Sequence, residues 1–475
     1  MSRLVSAGAL LALATLALAP FAHAVTLADD GIGEALIYPY YTVNNSQDTL
    51  VSLVNASDVG KAVQVRFLEG HNGVDVLDIV VFLGAHDAWT ASASFVPETG
   101  GAVLRSSDTS CTLPPIPAEG VPFTSANYDG SAGTGNNGGP YDISRLREGS
   151  INMIAGGDIA PGTATDAAIE HPANFFNGTA APNCGSIDPL HFRNDLVAPT
   201  EGVYGSGTII DVGIGTFFAY NAVALADFTR TMVFDAYPIR IPGLEDANSG
   251  TVGLADAVVF DEDGRPIHLV NNYPIDAINA VLSADAVYNE YFVDPALGAS
   301  TDWVVTLPMK HYYFANGAPV IVHVFAYDRE EGGTATQDCG EFACDAGQQL
   351  SYEVNVIGVE AALGASGVFG STLNTLLVAP YGASGWIKLV PLGIPYFGSY
   401  LTDADGQPLL TNGEAIIGFM AYNIINANAE PGQLANYGGA FRHHTTFSCQ
   451  GPCSECSQPL PPPLGPGGEC PAPPN

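Results

Sequence analysis

The sequence predicts a mainly β protein: two β-sandwich-like domains with a loop-rich insert, one or two short helices and a disulfide-stapled, Pro-rich tail. Three observations carry this expectation. Alternating apolar and polar segments recur roughly every 8–12 residues between Gly, Asn and Asp turns, as in sandwiches and barrels. Hydrophobic residues make up 47% of the 475 and charged residues 13%, about half the usual charged share, which favours folded β structure over disorder. Eight cysteines follow what reads as an export signal, and in an oxidising compartment they are read first as disulfides.

Residues 1–24, "MSRLVSAGALLALATLALAPFAHA", carry one charge, Arg3, then an apolar run that ends in Ala22-His23-Ala24. That is the layout of a cleaved secretory signal, with Val25 opening the mature chain. The run is shorter than the roughly 20 residues of a spanning helix, and no transmembrane segment is expected. The protein is expected to be exported to the cell surface or extracellular space, with the periplasm as the other compartment.

Residues 25–104 form the N-terminal sandwich part. "ALIYPYYTV" is aromatic and β-branched, "DTLVSLVN" precedes a turn, and "KAVQVRF" puts Val63, Val65 and Phe67 on one face. An Asn-Gly turn at 71–73 leads to "VLDIVVFL", with Ile79, Val81 and Leu83 in register. Residues 105–205 are rich in Gly, Asn and Pro and form the loop-rich insert, a location that favours ligand contact. Residues 206–430 form a second β-rich domain with one helix expected over 276–292, where Pro274 stands near the start. Residues 431–475 are the Cys/Pro-rich tail.

The cysteines sort by spacing. Cys449, Cys453, Cys456 and Cys470 read as two tail disulfides. A zinc site using His443 or His444 and a redox Cys-x-x-Cys are the alternatives; Ser457 after Cys456 rules out haem attachment. Cys339 and Cys344 are spaced to close a small loop, which leaves Cys111 and Cys184, whose pairing would tie down the insert.

Two segments share the pattern Asp-x-Asp-Gly-x-Pro between strands. They offer calcium through Asp261 and Asp263, or Asp403 and Asp405, but the Gly and Glu spacing of an EF-hand is missing. Asp-Gly is a hairpin signal, so a turn is the reading preferred; no cofactor is expected, with calcium as the alternative. Nucleophile-elbow, His-Glu-x-x-His, dinucleotide and Walker motifs are absent, and no catalytic residue is assigned. His171 and His191, near Glu170 and Asp195 in the insert, are the candidate ligand-binding residues. His323 reads as a hydrogen-bonded strand histidine, and "MKHYYF" around His311 as a polar-aromatic cluster.

The net charge of −35, with 14 Lys and Arg against 49 acids, argues against nucleic acid, which needs a basic footprint. "DDGIGEALIYPYYTV", "DTLVSLVNASDVGKAVQVRFLEGHNG" and "TDWVVTLPMKHYYF" resemble uncharacterised exported, cell-surface proteins of Gram-negative bacteria. The resemblance implies export and a surface setting and carries over no catalytic residue. The function expected is therefore a non-enzymatic cell-surface or extracellular structural or adhesive protein, through self-assembly or contact with other surface proteins or polysaccharide. The alternative is an extracellular carbohydrate-binding module or hydrolase using Trp89, Trp303, Trp386 or the Tyr-rich strands as stacking platforms.

Overall fold

The computed structural model describes residues 23–131, 141–174, 178–179, 181–249, 253–260, 264–313, 317–330, 332–334, 348–392, 401–402, 408–411, 413–426, 430, 433, 435–447 and 449–450. Antiparallel sheets dominate, and the helices among the described residues are short: Ala164–Ile169, Pro274–Leu282 and Lys310–Tyr313, with a few 3-10 turns.

The first sandwich faces an eight-stranded sheet against a six-stranded one. The eight-stranded sheet is centred on Ala35–Thr42, Glu148–Ile159, Gly60–Glu69 and Asp75–Leu83. The six-stranded sheet runs Thr216–Asn221, Val203–Asp211, Asp48–Asn55, Ala88–Val96, Gly101–Arg105, Val121–Pro122. The alternating residues of "KAVQVRF" and "VLDIVVFL" point as expected: Val63, Val65, Phe67, Ile79, Val81 and Leu83 lie in the core between these sheets with Trp89 and Tyr38. The Asn-Gly turn is also present: Gly73 takes φ +65°, and Glu69 and Val74 close the hairpin at 2.9 Å.

The second sandwich pairs a six-stranded sheet with a four-stranded one. The former contains Val320–Asp328, Ser384–Pro391, Ala286–Phe292 and His444–Thr446; the latter runs Val354–Gly358, Ala299–Thr306, Ile417–Ile424, Tyr437–Arg442. Apart from its exposed edge strand Tyr437–Arg442, the four-stranded sheet is buried on both faces. Trp303, Val305 and Met420 pack towards the second sandwich's core, whereas Val304, Val356 and Phe419 join the core of the first. The two sandwiches thus share hydrophobic core through this sheet.

Loops and short elements fill much of 105–205, as composition predicts. Composition hides the 12-residue strand Glu148–Ile159, buried along its whole length and paired with Ala35–Thr42 on one side and Gly60–Glu69 on the other. Burial on both faces removes the alternation that would betray a strand. At Gly149 an added Cβ would sit 1.9 Å from the Leu68 carbonyl oxygen, so close backbone approach explains a glycine inside a central strand.

The helix expected over 276–292 is corrected. It spans Pro274–Leu282 with Pro at its first turn, and the chain then becomes strand at Ser283–Ala284 and Ala286–Phe292. Val287 and Tyr291 are buried against the Ser384–Pro391 strand, a tertiary contact that overrides local helix propensity.

Cys111 and Cys184 form a disulfide with Cα atoms 5.1 Å apart. Cys339, Cys344, Cys453, Cys456 and Cys470 lie outside the described residues, and Cys449 is described only through its backbone, which pairs with Thr411. Asp261, Asp263, Asp403 and Asp405 also lie outside them. The flanking strands nevertheless pair antiparallel as hairpins demand, Phe260 with Pro266 and Thr402 with Pro408. No helix among the described residues is long and apolar enough to cross a membrane.

Candidate functional site: an aromatic sheet face

Successive side chains of a strand point to opposite faces, so burial of one set fixes the direction of the other. In the second sandwich's six-stranded sheet, Val322, Val324, Ala326, Ile387, Leu389 and Val287 point into the core. Their neighbours therefore face outward. The register lines them up across the strands in two rungs. Tyr327, Trp386 and Glu290 form one, and Phe325, Lys388, Tyr288 and His444 the next.

Tyr327 and Trp386 stack with ring centroids 4.2 Å apart and planes at 17°. The Tyr288 ring lies 6.5 Å from Trp386, and the Lys388 Nζ sits 5.5 Å from the Tyr288 centroid. Such pairs hold aromatic rings in fixed orientation, at about 0.5–1.5 kcal/mol each beyond area burial.

Exposure separates the three tryptophans. Trp89 and Trp303 are core residues at 0% and 1% exposure, whereas Trp386 is 39% exposed. Lys61 and Lys310 are likewise buried. Lys61 is spent on Asp158 at 2.7 Å and on the Thr200 carbonyl. Lys388 is half-buried on the aromatic face. The protein's one accessible indole and its one accessible lysine therefore stand on adjacent rungs of the same face.

The insert histidines do not converge. His171 Nε2 lies 3.3 Å from Thr109 Oγ1, and its Nδ1 4.0 Å from Asp87. His191 Nδ1 pairs with Asp188 at 2.8 Å on an exposed turn. Their contacts share no residue, and Asp195 accepts from Thr165 instead. Among the described residues no group of three or more His, Cys, Asp and Glu side chains is arranged to hold a metal ion.

His443 is a core histidine. Its Nε2 donates to the Val304 carbonyl at 2.9 Å, its Nδ1 meets the Asn289 amide at 3.0 Å, and burial lowers its pKa to about 3. With both ring nitrogens engaged, it has none left for a tail zinc site. His323 departs from expectation in the opposite sense. It faces outward beside Phe325, half-buried, with no hydrogen bond among the described residues.

"MKHYYF" lies at the junction between the sandwiches. His311 Nδ1 meets Glu353 Oε1 at 2.6 Å. Burial opposes its protonation, but Glu353 prevails and raises its pKa. Tyr312 donates to Glu245, Arg66 forks onto Asp75, and the Glu353 amide donates to the His71 carbonyl at 2.9 Å. Perturbed groups often mark functional sites. Here the cations and hydroxyl donors are satisfied by protein acceptors, so the cluster fastens the Asn-Gly hairpin to the second sandwich.

Sequence reasoning named Trp386 among three tryptophans without a signal to choose it. The signal is strand register, which a single sequence does not contain. No protein-family model, curated protein or solved structure matches this chain.

Proposed function

We propose that the protein is an exported, non-enzymatic adhesive or structural component of the cell surface or extracellular space, and that the Trp386 face is its contact with carbohydrate. The observation that carries the reading is the exposed Trp386, held by Tyr327 and flanked by Tyr288 and Lys388. Sugar rings present apolar C–H faces that pack on aromatic rings, while Lys388 and Glu290 supply hydrogen bonds to hydroxyls at the rim. The Cys111–Cys184 disulfide supports an oxidising compartment. The two rungs carry a single carboxylate, Glu290, whereas glycoside hydrolysis uses a flanking pair, so binding is favoured over hydrolysis.

The test is a polysaccharide pull-down with the mature, oxidised chain, followed by titration of oligosaccharides from any polymer retained. Trp386→Ala and Tyr327→Ala should abolish retention while leaving the thermal midpoint within a few degrees of wild type. Undiminished retention by Trp386→Ala, or retention of no polysaccharide by wild type, overturns the reading.

A further inference from the structure

The first sandwich carries a second concave surface, on the outer face of its six-stranded sheet. It is a groove of about 340 Å³. Two neighbouring rungs form its floor: Ser206, Ser52 and Thr90, then Thr208, Leu50, Ser92 and Arg105. Ser106 and Ser107 continue the lining beyond Arg105. Side chains this small at strand centres leave the sheet face hollow.

The hydroxyls are only partly used within the protein. Ser52 and Ser206 meet at 3.1 Å, and Ser106 donates to the Thr90 carbonyl at 2.6 Å. The hydroxyls of Ser92, Ser107 and Thr208 make no hydrogen bond among the described residues. Arg105 is exposed and likewise forms no ion pair or hydrogen bond among them. Its neighbour Asp108 is engaged within the protein, accepting from the amide and hydroxyl of Thr90 at 3.2 and 3.5 Å and from the amide and hydroxyl of Ser110 at 2.8 and 2.7 Å. In a chain with 49 acids, a guanidinium left unpaired at the end of a hydroxyl row is a feature of charge complementarity.

We infer that this groove binds an acidic glycan, with sugar hydroxyls on the Ser/Thr rungs and a uronate carboxylate on Arg105. Serine and threonine hydroxyls both donate and accept, which suits a ligand that does the same at every ring. The planar guanidinium matches a carboxylate through paired N–H donors. This inference does not rest on the Trp386 reading, and the two sites lie on different sheets.

The test titrates trigalacturonate and its fully methyl-esterified form into the mature, oxidised chain by calorimetry, so that the probes differ only at the carboxyl groups. Wild type should bind the acid at least about tenfold more tightly, about 1.4 kcal/mol. Arg105→Gln should erase that preference, and Arg105→Lys, which keeps the charge without the fork, should retain part of it. Ser92→Phe, a substitution that strands accept readily, should fill the groove and block both probes. Equal affinity for acid and ester, no binding of either, or wild-type behaviour of Arg105→Gln overturns the proposal. Loss of trigalacturonate binding in Trp386→Ala overturns it too and moves the sugar to the aromatic face. Equally tight binding of triglutamate, sensitive to Arg105→Gln, would overturn it by assigning the groove to an acidic peptide.

Discussion

Arg145 and Glu69 form an ion pair in which neither side chain keeps any exposure to solvent, with Nη2 2.7 Å from Oε1 and Nε donating to Oε2 at 2.9 Å. The guanidinium also lies 4.1 Å from the Tyr128 ring centroid. The Glu69 carboxylate accepts in turn from the amides of His71, Asn72 and Val74. One buried carboxylate therefore shapes the hairpin that the "MKHYYF" segment packs against.

Removing one partner of such a pair leaves an uncompensated buried charge, which costs about 3–5 kcal/mol. Arg145→Met should lower the urea midpoint accordingly, and adding Glu69→Gln should recover part of the loss by removing that charge. If Arg145→Met unfolds at the wild-type midpoint, backbone amides alone hold Glu69, and the pair contributes nothing measurable.

Trp303 and Trp386 should respond oppositely to truncation. Trp303 is buried, and its indole nitrogen donates to the Glu290 carbonyl at 3.0 Å. Trp303→Ala opens a cavity and should cost about 3–5 kcal/mol. Trp386→Ala removes a partly exposed ring and should cost about 1 kcal/mol. Thermal unfolding of the two variants side by side checks this, and similar losses would mean that Trp386 is packed as a core residue.

Legibility in the sequence followed the physics of one-sided burial. Asp48–Asn55 was readable because its buried residues alternate towards a single core, and Asp75–Leu83 because Ile79, Val81 and Leu83 keep one face in register although Val80 and Phe82 are buried on the other. Glu148–Ile159 was not, since it is buried on both sides and carries glycines where neighbouring chains crowd it. Ala286–Phe292 read as helix because the partner that makes it a strand, Ser384–Pro391, lies far away in sequence. The same limit governed both surfaces. Trp386 and Tyr327, or Ser206, Ser52 and Thr90, become neighbours only through cross-strand register, whereas the insert histidines were close in sequence and separate in contacts. Cys111 and Cys184 were legible as a candidate pair because the other cysteines had nearer partners to propose.

The Cys111–Cys184 bridge closes a separation of 73 residues, for which the chain-entropy model gives about 4 kcal/mol. A Cys111→Ser, Cys184→Ser double variant should lose up to that amount in urea denaturation, with the far-ultraviolet spectrum kept. Phe82, Phe192 and Phe234 pack beside the bridge. A loss below about 1 kcal/mol would show that this aromatic cluster holds the segment unaided.

Glu34 should make stability fall as pH rises through the neutral range. It is 4% exposed, and its Oε2 accepts the Thr229 amide at 2.8 Å. Burial raises its pKa from 4.5 to about 7; the Thr229 amide and Lys61 oppose the rise, while Asp227 and Glu201 add to it. Between those values the folded chain keeps a proton that the unfolded chain has released, so folding is favoured at pH 5 and loses that advantage by pH 8. At about 1.4 kcal/mol per pH unit, the effect has a ceiling of about 3 kcal/mol. Glu34→Gln cannot ionise and keeps an acceptor for Thr229. Its stability advantage over wild type should be small at pH 5 and grow towards that ceiling at pH 8, as read from urea midpoints at each pH. Parallel curves for the two proteins would show that Glu34 ionises in the folded state as freely as in water.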